Sequence, residues 1–191
     1  MRTWLPRRGG WAGLALASAA VLGVGCVGTT DRRDFNREIQ ARGGGLTSDL
    51  PTSAVDVVGE ALGVIDFEVR TLIVTPLDGT VVLDVRDPSA HENLDRYVVR
   101  GGSVWQVEPI QLAAGDVLDT QVFPVSSVAL DEVDAMVDTA LVEFVSDGYV
   151  TSMTINRTAE DVVVTLALES PRAAGTARFT GDGQLIEVVR T

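Results

Sequence analysis

Between Thr52 and Thr191, apolar residues recur first at helical spacing and then in alternation, and this succession occurs twice, about 80 residues apart. Ala54, Val57, Val58, Ala61 and Leu62 form one helical stripe, and Gly63 follows as a stop. Val133, Met136, Val137, Ala140, Leu141 and Phe144 repeat the stripe, with Gly148 behind them. Ser53 and Ser127 stand near the two predicted starts, where a hydroxyl can cap free backbone amides.

Each stripe is followed by strand-like runs. Phe67 to Val74 corresponds to Tyr149 to Ile155, and Thr80 to Arg86 corresponds to Val162 to Glu169. Leu94 to Arg100 corresponds to Gly175 to Thr180, and Ser103 to Glu108 corresponds to Gln184 to Arg190. The connections are short and carry turn residues: Thr75 to Gly79, Gly101-Gly102 and Gly181-Asp182-Gly183. Short links between alternating runs predict antiparallel meanders. The expected fold is α+β: two tandem helix-plus-antiparallel-meander units of about four strands each, in two layers. Repeat 1 spans about 52–109, a linker spans 110–125, and repeat 2 spans about 126–191. Neither half is large enough to be secure alone, so the two should share a core or one continuous sheet.

Alternation also assigns faces. In the first half Phe67, Val69, Ile73, Val81, Leu83, Val85, Tyr97, Val99, Trp105 and Val107 should face the helix. Glu68, Arg70, Asp84, Arg86, Arg96, Arg100 and Gln106 should face away. In the second half Tyr149, Met153, Ile155, Val164, Leu166, Leu168, Phe179 and Leu185 should point inward. Ser152, Thr154, Thr165 and Arg178 should point outward. The outer face of the first half is then a network of alternating charge. Its ordinary reading is cross-strand ion pairing. Its functional reading is a recognition surface for a protein or an acidic ligand, centred on Arg70, Arg86, Arg96 and Arg100.

Ahead of Thr52 the pattern is different. Residues 1–10 are basic, and Trp11 to Gly25 is a 15-residue apolar stretch rich in Ala, Leu and Gly. A transmembrane helix needs about 20 apolar residues, so the stretch reads as the core of a signal peptide. It ends Leu22-Gly23-Val24-Gly25-Cys26, which contains the sole cysteine. The segment resembles the lipobox of bacterial lipoproteins, with Gly25 and Val24 in place and Gly23 where an aliphatic residue is usual. The resemblance implies cleavage before Cys26, lipidation of its thiol and attachment to a membrane. A plain secretory signal cut after Ala17-Ser18-Ala19, or an uncut signal anchor, is the competing reading. The expected organisation is a signal peptide over 1–25, a lipidated Cys and flexible tether over 26–51, and the tandem domain over 52–191. Within the tether, Asp34 to Arg42 can form a short helix, with Phe35 and Ile39 one turn apart, and Gly43-Gly44-Gly45 ends it.

Charge narrows the partners. The net charge is −12, and removing Arg2, Arg7 and Arg8 with the signal leaves 12 Arg against 27 acids, or −15. Such a domain is repelled by nucleic acid, so no nucleic-acid partner is expected. One cysteine rules out an internal disulfide, and one Cys with one His, His91, rules out a structural zinc site. His91-Glu92-Asn93-Leu94-Asp95 lacks the second histidine of a zinc-protease helix and reads as a loop. Asp131, Glu132, Asp134 and Asp138 spread over the start and exposed side of the second helix, where acids favour the dipole. Ser126-Ser127 has no nearby base. Neither metal nor cofactor is expected, and the chain does not read as an enzyme.

The tandem helix-plus-meander arrangement resembles PepSY and β-lactamase-inhibitor-protein modules of exported bacterial proteins, and cystatin-like folds share the helix-on-sheet plan. The resemblance is topological and covers about residues 52–191. It implies a non-catalytic domain that binds protein through an exposed sheet face. The function expected is therefore a membrane-anchored lipoprotein of the cell envelope that binds an envelope protein. The alternative is a carrier holding a lipid or glycolipid between helices and sheet.

Overall fold

A computed structural model describes residues 45–191, except 146 and 160. The signal peptide, Cys26 and the tether helix over 34–42 lie outside the described residues. The chain forms helix α1 (Asp49–Leu62) and strands β1 (Glu68–Thr75), β2 (Thr80–Arg86), β3 (Leu94–Arg100) and β4 (Ser103–Pro109). The short β5 (Phe123–Pro124) leads to helix α2 (Val133–Phe144). Strands β6 (Tyr149–Arg157), β7 (Val162–Glu169), β8 (Ala174–Thr180) and β9 (Leu185–Arg190) complete the chain. The fold is α+β, as the periodicity predicts.

All strands join one antiparallel sheet, in the order β4-β3-β2-β1-β6-β7-β8-β9, with β5 paired to β1. The order is a palindrome of the two repeats. Its centre is the β1–β6 pair, where Leu72 faces Ile155, Ile73 faces Thr154, and Val74 faces Met153. Shifting each residue by 81 positions exchanges the first and last of these pairs and maps the middle one onto itself. The two halves are therefore related by a pseudo-twofold axis between Ile73 and Thr154. Pairing β1 with β6 also removes an open edge from each half.

Helix α1 packs on the first half, against β2 and β4, and α2 packs on the second, against β7, β8 and β9. One core runs beneath both. Val58, Leu83, Phe144, Met153, Ile155 and Leu166 are all fully inaccessible to solvent. Gly175 makes this packing possible under α2, because a Cβ there would sit 2.4 Å from the Val189 carbonyl oxygen and 2.9 Å from the Phe144 ring.

Bulges account for the face assignments that differ from strict alternation. In β1 the register shifts between Val69 and Thr71, and in β6 it shifts between Val150 and Ser152. Each extra residue swaps the faces downstream. Val69, Leu72 and Val74 therefore point inward, whereas Ile73 is half-buried on the outer face. Val150, not Tyr149, enters the core, and the Tyr149 hydroxyl donates to Glu169 on the outer side at 2.9 Å. Bulges also mark both edge strands, opposite Val98–Val99 in β4 and opposite Arg178–Phe179 in β9. Trp105, expected inside, is turned outward and is 64% exposed, whereas Val107 and Leu185 keep the helix side, opposite Tyr97 and Phe179, and are 50% and 38% exposed because they lie on the edge strands.

Helix α1 begins at Asp49, ahead of the expected Thr52, and Leu46 is already in the core at 3% exposure. Ser53 lies inside the helix, and neither it nor Ser127 caps a helix; the Ser127 hydroxyl donates to the Pro124 carbonyl. The two helix starts cap each other instead. The backbone N–H of Ser48 donates to the Asp134 carboxylate at 3.1 Å, and the N–H of Asp134 donates to Ser48 Oγ at 3.2 Å. This is the reciprocity of a capping box, built from residues 86 positions apart. At the far end of α2, Arg190 donates to the Glu143 and Phe144 carbonyls, placing a cation at the negative end of the dipole.

The expected linker is part of the fold. Leu118 and Val122 pack on Leu94, with Ile110 and Leu112 beside them, and cover one end of the outer face. Phe123 then crosses into the main core. Among the described residues, no helix is long and apolar enough to cross a membrane.

Replacing Ser48 or Asp134 by alanine should each cost about 1 kcal/mol in denaturant unfolding. The double variant should cost clearly less than the sum, because either change breaks the same reciprocal pair. Additive losses would show that the two helix starts are capped independently.

Candidate functional site: the outer face of the sheet

Helices occupy one face of the sheet and leave the other open. Arg70, Arg86, Arg96 and Arg100 all lie on the open face, as alternation requires, and the structure separates their roles. Asp84 is the centre of the network. Its side chain is only 6% exposed and accepts from two arginines. Arg96 is bidentate, with Nε at 2.8 Å and Nη2 at 3.1 Å, and Arg70 Nη2 approaches at 3.1 Å. The hydrogen bonds to Asp84 raise the Arg96 pKa further above its already high value. One carboxylate thus holds strands β1, β2 and β3 together across their outer side.

Arg86 faces the covering segment. Its Nε donates to the His91 carbonyl at 2.6 Å, Nη1 to Glu68 at 3.0 Å and Nη2 to Asp119 at 2.7 Å. Its side chain is 14% exposed. Desolvation opposes the charge, and the bonds to Glu68 and Asp119 outweigh it, so the pKa is raised. Arg86 is therefore a clasp between the sheet and the 110–122 segment. Beside it a surface cleft of about 210 Å³ is lined by Asp66, Phe67, Glu68, Asp87, Pro88 and His91. Its carboxylates are locally engaged: Asp66 accepts from Ser126, Glu68 from Arg86, and Asp87 from Ser89. The Ser89 bonds lower the Asp87 pKa.

Arg100 stands at the other end of the face. Its Nε donates to Thr80 Oγ1 at 3.0 Å, and its guanidinium lies 4.8 Å from the centre of the Trp105 ring. Thr80 is on the outer side of β2, so the bulge in β4 has turned Trp105 outward onto the same face. Pattern reading found the four arginines and missed Trp105. The Gly101-Gly102 turn fixes Arg100 opposite Ser103, but nothing in the composition of β4 marks its bulge.

The other chemistry-bearing residues are dispersed. His91 lies in the loop between β2 and β3, as expected, and is exposed. Asp131, Glu132, Asp134 and Asp138 are exposed at the start and outer side of α2. Among the described residues, no three His, Cys, Asp or Glu side chains converge as a metal site would require.

The chain matches no protein-family model and no curated protein sequence. It is similar in fold to the crystal structure of a "putative lipoprotein (CD1622) from Clostridium difficile 630". The TM-score is 0.57 at 12% sequence identity, covering 73% of this chain and 91% of that one. At that identity the likeness is one of fold.

Replacing Asp84 by alanine leaves two guanidiniums without their shared partner. The expected loss is about 1–3 kcal/mol, the lower part of the range reflecting the partial exposure of Arg70 and Arg96. Denaturant unfolding measures it, and a change below about 0.5 kcal/mol would rule out a structural role for the network. Arg86→Ala should instead speed amide exchange in the 110–122 segment and leave β6–β9 protected. Unchanged exchange there would show that Arg86 is not the clasp.

Proposed function

We propose that the chain is an exported lipoprotein, held at a membrane through lipidated Cys26, whose sheet binds another protein of the cell envelope without catalysis. The observation that carries the binding half is the open outer face. A continuous sheet keeps both helices on one side and presents an ordered surface with a charged, Trp-bearing end on the other. The address rests on the basic start, the short apolar core and the sole cysteine at Cys26. The fold similarity to a protein described as a lipoprotein supports it.

A carrier of apolar ligands needs space between helices and sheet. Val58, Leu83, Met136, Phe144, Met153 and Phe179 fill that layer, each 1% exposed or less. This packing favours the binding reading over the carrier. The absence of catalysis is part of the same proposal, and the dispersal of nucleophiles and bases among the described residues supports it.

Membrane fractionation of the wild type against Cys26→Ala tests the address. The variant should leave the membrane fraction, and an equally membrane-bound variant would end the lipid-anchor reading. Photo-crosslinkers placed in cells at Thr165 on the outer face and at Val142, 83% exposed on α2, test the surface. A discrete envelope protein should be trapped from Thr165 and not from Val142. Capture from Val142 alone would move the binding surface to the helix side.

A further inference from the structure

The two halves share a backbone plan, and their outer faces have different chemistry. By register, Arg70, Asp84, Arg96 and Arg100 correspond to Thr151, Ala167, Thr176 and Thr180. Inward positions stay apolar in both halves: Val69 and Val150, Leu83 and Leu166, Val85 and Leu168. The core thus retains one solution twice, whereas the charged network is confined to the first half. Stability alone does not require it, because the second half pairs the corresponding strands with Thr151, Ala167 and Thr176 at these positions and has one ion pair, Arg178–Glu187, farther out.

Arg70, Arg96 and Arg100 stand against two carboxylates, Asp84 and Glu108, so this end of the face has an excess of one positive charge, on Arg100. Arg70 and Arg96 share the single carboxylate of Asp84. Glu108 stands opposite Arg96 and its carboxylate accepts from Gln106. Arg100 has no carboxylate partner among the described residues. Its Nε donates to Thr80, and its Cζ lies over the Trp105 ring. The terminal nitrogens carry no hydrogen bond among the described residues. On a chain of net charge −12, this is a local cationic spot beside an indole that is 64% exposed.

We propose that Arg100 and Trp105, backed by Arg70 and Arg96, are the docking point for an acidic segment of the partner protein. The inference rests on the reading that the outer face binds protein, and it names the chemistry of what binds there. The Arg100 guanidinium is pre-oriented by Thr80 and the ring, and its free edge suits a carboxylate in bidentate geometry. The exposed side of Trp105 takes an adjoining apolar side chain. Trp and Arg are the side chains that concentrate binding energy in protein interfaces. The unneutralised charge of Arg100 draws acidic chains to this corner, while the rest of the acidic surface repels them. Arg86 has no part in it, since all its donors face Glu68, Asp119 and the His91 carbonyl.

Trp4 and Trp11 lie within residues 1–25, which the proposed processing removes, so Trp105 is the only indole of the processed chain. The probes are an alternating Glu-Leu peptide and its Lys-Leu counterpart of equal length. The acidic peptide should change Trp105 fluorescence saturably, and less so as salt is raised. Arg100→Glu should weaken the response about tenfold or more, and Arg100→Gln by less. Arg178→Glu, on the outer face of the second half, should leave it unchanged. Equal binding of the Lys-Leu peptide, no saturable response, or an unaltered response in both Arg100 variants of native circular dichroism would overturn the proposal. So would sedimentation showing that the face is filled by a second copy of the chain. If the Thr165 crosslink persists while Arg100→Glu has no effect, the acidic-segment inference alone falls. If the Thr165 crosslink is also absent, the protein-binding reading falls with it.

Discussion

The pairing of β1 with β6 is the constraint on which the rest depends. Each half, a helix on four short strands, would expose the first strand of its meander as an unpaired edge and would bury too little apolar surface to be secure alone. Joining the two first strands solves both problems. It also sets the symmetry: Leu72 opposite Ile155 and Val74 opposite Met153 are the same contact made twice about one axis. With that axis fixed, the helices must lie on one side and their N-termini must meet. The positive ends of two dipoles then converge, and Ser48 and Asp134 satisfy each other's backbone amides there, with Asp49, Asp131 and Glu132 close by.

One consequence is an open sheet face free to specialise. Inward positions are tied to each other by packing, so substitutions there are costly. Outward positions answer only to solvent and to cross-strand neighbours. The two halves show this directly: apolar residues match inside, while Arg and Asp on one outer surface stand where the other has Thr and Ala. The four arginines also divide by what they hold. Asp84 ties Arg70 and Arg96 to the sheet, Arg86 holds the covering segment, and Arg100 lies against Trp105.

Much of this was legible from periodicity. The two helical stripes, the eight principal strands and the spacing of the repeat follow from where apolar residues recur, because burial on one face imposes period 3.6 on helices and period 2 on strands. The outward placement of Arg70, Arg86, Arg96 and Arg100 follows from the same rule. Ile73, Trp105 and Tyr149 depart from that rule, and all of them lie on bulged strands. A bulge adds one residue to one strand and leaves no compositional mark when Val, Thr or Gln supplies it. The 110–125 stretch gives no such signal, because Leu118, Val122 and Phe123 are too few and too irregularly spaced to declare a core.

What the sequence determined alone is local: the class of each element, its approximate limits, the repeat, the acidic surface and the lipobox-like start with Cys26. These depend on neighbours within a few residues or on composition. Tertiary structure alone decided that the repeats form one sheet, that β1 meets β6, and that Ser48 caps a helix 86 positions away. It also decided that Trp105 faces outward beneath Arg100. Each is a contact between distant segments, and its energy exists only once both segments are in place.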